Sequence, residues 1–134
     1  MFSRIALMIV LIASPISLGC KTIHRSLLQS ALPPLSLNKI TFDLSQISSE
    51  GLVGSGDGLR SLSYEFCIPA NLQSLAEVKA IDSTFQHSRS PGRIRCTQEQ
   101  YLVIGETHKS NWRTILTQLT QLNYIQRIDQ FLGE

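Results

Sequence analysis

This 134-residue chain has three cysteines, which could be modified, form a disulfide, bind a metal or act as a catalytic thiol. If Cys20 is modified, Cys67 and Cys96 remain, and in an oxidising compartment an even pair predicts one disulfide. Two buried, reduced thiols are the alternative. The cysteines have no C-x-x-C or His-x-x-x-His spacing that would favour a metal site. Neither of the later two has a histidine close by in sequence to act as the base that a thiol catalyst would need.

A glycine-rich segment, Gly54-Ser55-Gly56-Asp57-Gly58, is the sharpest local motif. Its glycine amides could cradle an anion, and the carboxylate of Asp57 could help to hold a cation. The segment has neither the G-x-G-x-x-G pattern nor the lysine of a P-loop, and no calcium-loop spacing surrounds it. A flexible turn before the first regular strand is therefore the competing interpretation.

Glu106 and His108 follow a predicted strand and are separated by Thr107. In an extended chain residues i and i+2 point the same way, so these two side chains could share a proton or bind a metal. An ordinary exposed loop is the alternative. The three histidines of the chain are scattered, and no two carboxylates share a face with catalytic spacing. We therefore predict neither an enzyme nor a cofactor.

Residues 1–19 predict export. Arg4 lies in a short basic start, Ile5–Ala13 is an unbroken apolar run, and Ser17 and Gly19 are small residues just before Cys20. This order is typical of a signal peptide with a small-residue cleavage site. The apolar run is shorter than the roughly 17–25 residues that a membrane-spanning helix needs.

The segment before Cys20 fits three outcomes: lipidation of Cys20, plain cleavage after Gly19, and retention as a signal anchor. Ser17-Leu18-Gly19-Cys20 resembles a bacterial lipobox, although the order of Ser17 and Leu18 departs from the common pattern. A lipoprotein carries several acyl chains, which is enough for stable attachment. We predict a periplasmic protein that is free or attached to the membrane by lipid.

The charge of the chain excludes one class of partner. Twelve lysines and arginines and ten acidic residues give a net charge of +2, and they are scattered. Nucleic-acid binding requires a concentrated basic surface, which this distribution lacks. The longest basic cluster, Arg89–Arg95, contains Pro91-Gly92 and reads as a solvated loop. The sequence thus predicts no nucleic-acid partner. We predict a protein partner of unknown identity, and contact with the membrane through lipid if Cys20 is modified.

The helices and strands that must position the candidate residues begin after a predicted tether at 20–37. Pro33-Pro34 stiffens this tether. Alternation over Ile40–Leu44 predicts a short strand, and alternation over Leu62–Ile68 predicts a regular one that ends at Pro69. After Asn71, a helix cap, the apolar residues recur at helical spacing and predict a helix ending near Asp82. They are Leu72, Leu75, Val78 and Ile81.

The second half of the chain predicts a similar set of elements. Extended segments are expected at Phe85–His87 and Arg93–Arg95, and a buried strand is expected at Tyr101–Ile104. Ser110 should cap a second helix, and Asn123 should end it in the left-handed conformation. The apolar face of this helix contains Trp112, Ile115, Leu116, Leu119 and Leu122. A terminal strand should include Tyr124–Ile125 and Ile128 and end near Phe131.

This order predicts an α+β domain at 38–134. Its core, at about 60–134, is expected to be a ferredoxin-like βαββαβ two-layer sandwich with an extra N-terminal strand. In that fold the first strand is antiparallel to the third, so Cys67 and Cys96 should lie at the same edge of the sheet. Their pairing would close a loop of about 29 residues, worth roughly 3–4 kcal/mol in the chain-entropy model.

Several segments of the predicted domain resemble a group of small uncharacterised proteins from cyanobacteria, over about residues 54–134. The resemblance implies one folded unit that contains the tryptophan helix and both cysteines, and it implies no activity. Its segments are Ser63–Ala70, Ala80–Asp82, Gly92–Ile94 with Cys96, Asn111–Arg113, and Tyr124–Ile125 with Arg127–Ile128.

A looser likeness is to subtilisin-type propeptides and their inhibitor relatives, which also have a βαββαβ fold. Leu119, Leu122, Ile125, Ile128 and Asp129 resemble the rhythm of their closing strand. The likeness is at the level of fold. The leading functional prediction is an exported, non-catalytic module that binds a protein through its sheet face or an edge strand. The alternatives are a small-ligand or ion binder and a protease-inhibitor module.

Overall fold

In the computed structural model, which describes residues Leu37–Gly133, two helices and two antiparallel sheets form an α+β domain. The regular elements are, in chain order, β1 (Leu52–Val53), β2 (Arg60–Ser61), β3 (Ser63–Pro69), α1 (Leu72–Ile81), β4 (Gln86–Ser88), β5 (Gln100–Glu106), α2 (Trp112–Gln121) and β6 (Ile128–Gln130). The predicted signal peptide (1–19), the lipidation site Cys20 and nearly all of the predicted tether (20–37) lie outside the described residues. No described helix is long and apolar enough to cross a membrane.

The larger sheet has the strand order β4-β5-β3-β6, and every neighbouring pair in it is antiparallel. The central strand β3 buries Tyr64, Phe66 and Ile68 on one face, as its alternation predicts. These side chains join one hydrophobic core with residues of both helices and of β6. β1 and β2 form the smaller sheet, a short hairpin.

The helix α1 begins where the sequence predicts. Asn71 caps it, accepting a hydrogen bond from the backbone N–H of Ser74 at 2.8 Å. Val78 is fully buried, but Leu72 is 84% exposed, contrary to its predicted place on the apolar face. Leu72 is the first residue of the helix, and side chains there tilt back past the helix end instead of onto the core.

The helix α2 buries the predicted residues Trp112, Ile115, Leu116 and Leu119. The predicted cap Ser110 is wrong, because the residue at the cap position is Asn111, and its side chain makes no capping bond. The indole N–H of Trp112 donates to the carbonyl of Ser48 at 3.0 Å, so this tryptophan is a satisfied core residue.

The predicted strand at Ile40–Leu44 does not form. Two 3-10 turns, Leu37–Lys39 and Leu44–Gln46, occupy this part of the chain, and Ile40 makes only an isolated parallel bridge to Ile128. The cause is local, because the side chain of Asp43 accepts a hydrogen bond from the N–H of Ser45 at 2.8 Å and turns the backbone. The apolar side chains of the segment still pack against the core.

Three expectations near the ends of elements are also wrong. Arg93–Arg95 forms turns instead of an extended segment, and the last strand begins only at Ile128, so Tyr124–Ile125 precedes it. Asn123 is not left-handed, since Arg95 (φ 65°) is the one non-glycine residue with positive φ in the described part of the chain. A backbone turn from Ile125 N–H to the Leu122 carbonyl at 3.2 Å follows α2 instead.

The predicted disulfide between Cys67 and Cys96 is confirmed. The Cα atoms of the two residues are 5.5 Å apart, and 29 positions separate them in sequence. Cys67 lies near the end of β3, and Cys96 ends a stretch of turns before β5. The bond therefore joins the irregular segment between β4 and β5 to the centre of the sheet.

We expect the double variant Cys67→Ser/Cys96→Ser to lose about 3–4 kcal/mol of unfolding free energy. Its unfolded chain regains the freedom that the disulfide removes from a loop of 29 residues. Urea unfolding without reductant measures the loss, and the wild type in excess reductant should show the same shift of midpoint. Titratable thiols at both positions in the unreduced wild type would contradict the prediction.

Candidate binding surface

The face of the larger sheet opposite the helices is the candidate binding surface, and we call it the open face. The strand register aligns Asp129, Glu65, Ile104 and Gln86 in a row across the four strands. Alternate residues of a strand point to opposite faces, and Tyr64 and its equivalents point into the core. The aligned row therefore points away from both helices.

The residues Pro91–Cys96, which we call the roof segment, lie against the middle of the open face. Cys96 is bonded to Cys67 on β3, and the backbone N–H of Ile94 donates to Oε1 of Glu65 at 2.9 Å. A covalent bond and a hydrogen bond thus attach the roof segment to two residues of one strand.

The roof segment buries the carboxyl group of Glu65 completely. Its Oε2 atom has no hydrogen-bond partner among the residues that the structure describes. Gly92 lies directly over it with φ +59°, and a Cβ atom there would come within 2.8 Å of that oxygen. Only glycine combines this backbone conformation with so close an approach.

Two arginines, one on each side of the roof segment, connect it and the residues next to it to the sheet. Arg127 pairs with Asp129, with Nε 2.9 Å from Oδ2, and its Nη2 lies 3.5 Å from the carbonyl oxygen of Ile94. On the other side, Arg89 donates to the carbonyl of Gln98 at 3.0 Å and lies 4.6 Å above the ring of Tyr101. Parts of the basic loop predicted at 89–95 therefore make contacts with the rest of the domain.

Two grooves adjoin the open face. The first, the disulfide groove, has a volume of about 400 Å³ and is lined by Cys67, Ile94 and Arg95 together with Gln100, the first residue of β5, and residues that precede β6. The second, the strand-end groove, has a volume of about 580 Å³ and lies where β3 begins and β5 ends. Ile104 and Phe131 are half-buried in the strand-end groove.

An ion pair between Lys109 and Asp82 supports the strand-end groove, which Lys109 also lines. Burial raises the pKa of the Asp82 carboxyl, but hydrogen bonds from Lys109 and Thr84 and the charge of Lys109 outweigh it. The pKa of Asp82 therefore lies below its ordinary value of 3.8.

The glycine-rich segment forms an exposed turn between β1 and β2. Gly56–Gly58 is a short 3-10 turn, and Gly54 has φ +111°, with an added Cβ falling 2.5 Å from the carbonyl oxygen of Gly58. The tight turn thus explains Gly54. Asp57 is exposed. Over Leu37–Gly133 no group of three or more His, Cys, Asp or Glu side chains could hold a metal ion.

Glu106 and His108 line different grooves. Glu106 lies at the rim of the strand-end groove, whereas His108 lies in a shallow groove with Ser49 and Glu50. Thr107 between them is fully buried, where its hydroxyl donates to the Gly51 carbonyl at 2.7 Å. The structure therefore places Glu106 on the candidate surface and His108 outside it.

Comparison with known proteins adds no relative. No protein-family model matches the chain, and no match was found among curated proteins or solved structures.

The lowered pKa of Asp82 predicts an acid-sensitive contribution to stability. Because the folded-state pKa lies below the unfolded value of 3.8, the contribution is complete above that pH and is lost as pH falls through the folded-state pKa. We expect Asp82→Asn to lower the unfolding free energy near neutral pH and to flatten its decline below about pH 4.

Urea unfolding at a series of pH values measures this difference. The matched control is Asp57→Asn, the same change at an exposed position in the turn between β1 and β2. Parallel stability curves for the wild type and Asp82→Asn across the acid range would show that the Asp82–Lys109 pair contributes nothing.

Proposed function

We propose that this protein is an exported, non-catalytic binding module, free in the periplasm or lipid-anchored at Cys20, that engages a protein partner through its open face. The element order β3-α1-β4-β5-α2-β6 and the strand order β4-β5-β3-β6 support a ferredoxin-like arrangement of the core. In this arrangement both helices cover one face, and the other face is left to the roof segment and the two grooves.

The composition of the strand-end groove carries the proposal. Ile104 and Phe131 form a half-buried apolar centre, and Gln86, Glu106 and Lys109 form a polar rim. An apolar centre with a polar rim is the usual anatomy of a protein interface. A groove with two half-buried apolar side chains, Ile104 and Phe131, can seat one apolar side chain of a partner.

The neighbouring strand β4 adds a backbone surface to the same groove. All three of its residues, Gln86–Ser88, are exposed, and β4 is the last strand at its side of the sheet. An edge strand presents backbone N–H and C=O groups that an extended segment of another protein can pair with. The partner would thus receive main-chain hydrogen bonds from β4 and apolar contact from Ile104.

Site-specific photo-crosslinking in the native host tests the binding surface. We expect a photoreactive phenylalanine analogue at Phe131 to form an adduct with one protein, because this ring lines the groove. The same analogue at Gln73, an exposed residue of α1, should form none. Introducing Ile104→Lys into the Phe131 crosslinker should remove the adduct, because it places a charge in the apolar centre.

Gln73→Lys is the matched control for Ile104→Lys, because it adds the same charge on the helical face. It should leave the adduct and the melting temperature unchanged. An adduct that survives Ile104→Lys, or identical adducts from positions 73 and 131, would refute the proposed surface.

The intact mass of the protein isolated from its native host tests export. We expect a chain that starts at Cys20 with a lipid-sized increment, or one cleaved at the same place without it. Two further thiols should react with an alkylating reagent only after reduction, because Cys67 and Cys96 are bonded. A chain that retains residues 1–19 and reacts without reduction would overturn the assignment to an oxidising compartment.

A further inference from the structure

The disulfide groove is lined by hydrogen-bond donors over an apolar floor. Cys67, Ile94 and the ring of Tyr124 supply apolar surface, and Arg95, Gln100 and Arg127 supply donors. Its volume of about 400 Å³ lies within the range of small-ligand sites. An apolar wall with a few converging polar groups is the ordinary composition of such sites.

Arg95 is the group in this groove whose charge is not compensated. Among the described residues, its guanidinium makes no hydrogen bond and no ion pair, and the residue is exposed. Its backbone has φ 65°, a conformation that an L-residue other than glycine, asparagine or aspartate seldom adopts. The disulfide at the next residue, Cys96, fixes the chain at this point. Strain of this kind concentrates at functional sites.

Two further donors converge on the same groove. The Nε atom of Arg127 is held by Asp129 at 2.9 Å, which fixes the guanidinium in place. The side-chain oxygen of Gln100 accepts the backbone N–H of Thr97 at 2.9 Å. Because that oxygen is occupied, the amide group of Gln100 presents its NH₂ as a donor.

Two carboxylates near the groove are already engaged. No aspartate or glutamate lines it. Asp129 is paired with Arg127, and Glu77 accepts the hydroxyl hydrogen bond of Tyr124 at 2.6 Å. Because Arg95 makes no ion pair among the described residues, its charge is left for a ligand. A guanidinium matches a planar carboxylate through two parallel hydrogen bonds.

We propose that the disulfide groove binds the carboxylate of a peptide, with Arg95 as its main contact and Gln100 and Arg127 as supporting donors. The carboxylate comes from a chain terminus or from an acidic side chain. This site is distinct from the strand-end groove, and it stands whether or not that groove engages a protein.

Titration of the ¹⁵N-labelled, disulfide-bonded protein tests the proposal by NMR. The probes are a short acetylated peptide with a free C-terminus, the same peptide as its amide, an amidated peptide with one aspartate, and inorganic phosphate. We expect saturable shifts confined to residues 94–96, 100 and 124–127 with one or both carboxylate peptides, and none with the uncharged amide. The responding peptide identifies the source of the carboxylate.

Variants at position 95 separate binding from folding. Arg95→Gln should weaken binding about tenfold or more, the usual effect of losing a charge-assisted hydrogen-bonded contact. Arg95→Lys should bind with intermediate affinity, since lysine keeps the charge but cannot make two parallel hydrogen bonds to a carboxylate. Arg95→Gly should abolish binding with a melting temperature equal to or above that of the wild type, because glycine relieves the left-handed backbone.

Arg93→Gln is the matched control, because Arg93 is an exposed arginine of the same segment that does not line the groove. Its affinity for the carboxylate peptide should equal that of the wild type. The proposal would be overturned if Arg93→Gln lost as much affinity as Arg95→Gln. It would also be overturned if phosphate saturated the protein at a lower concentration than either peptide, or if no peptide gave saturable shifts.

Discussion

The disulfide between Cys67 and Cys96 is the constraint on which the open face depends. The roof segment has no regular structure, and apart from the disulfide its attachment to β3 is the single hydrogen bond between Ile94 and Glu65. One such bond contributes about 1 kcal/mol, whereas closing this loop covalently contributes about 3–4 kcal/mol. The covalent bond therefore keeps the segment over the sheet. Beneath it Glu65 stays buried with one oxygen that has no partner among the described residues, which costs about 1–3 kcal/mol.

The two faces of the sheet are stabilised by different physics. The helical face is a close-packed apolar core in which Phe85 meets Phe66 edge-to-face at 5.5 Å between ring centroids. The open face is assembled from a disulfide, charged side chains and backbone hydrogen bonds around Glu65. Thr107 links this sheet to the rest of the chain, because its hydroxyl donates to Gly51 and accepts from the N–H of Leu62. Stability can thus come from one face while the other is free to bind.

Periodic patterns made the core predictable, and local polar bonds made its margins unpredictable. The alternation around Tyr64 and the helical spacing after Asn71 and Trp112 each reflect one buried face, so they identify β3, α1 and α2 correctly. Apolar and polar residues alternate equally well over Ile40–Leu44. There, however, the side chain of Asp43 accepts a hydrogen bond from a backbone N–H, and the backbone turns. Glu65 alternates out of the core in sequence, and no pattern indicates that a segment about 29 residues later covers it.

Sequence patterns predict the candidate sites even less well than they predict the margins of the core. The conspicuous motif, Gly54–Gly58, turns out to need its first glycine for a tight hairpin turn, and backbone geometry accounts for that residue without a ligand. The donors of the disulfide groove, by contrast, come from positions 95, 100 and 127, which no sequence motif connects. What brings them together is the antiparallel pairing of β3 with β5 and β6 and the covalent attachment of the segment before Cys96. A sequence reveals a site of this kind only through the fold, because its residues become neighbours only after the strands have paired and the disulfide has formed.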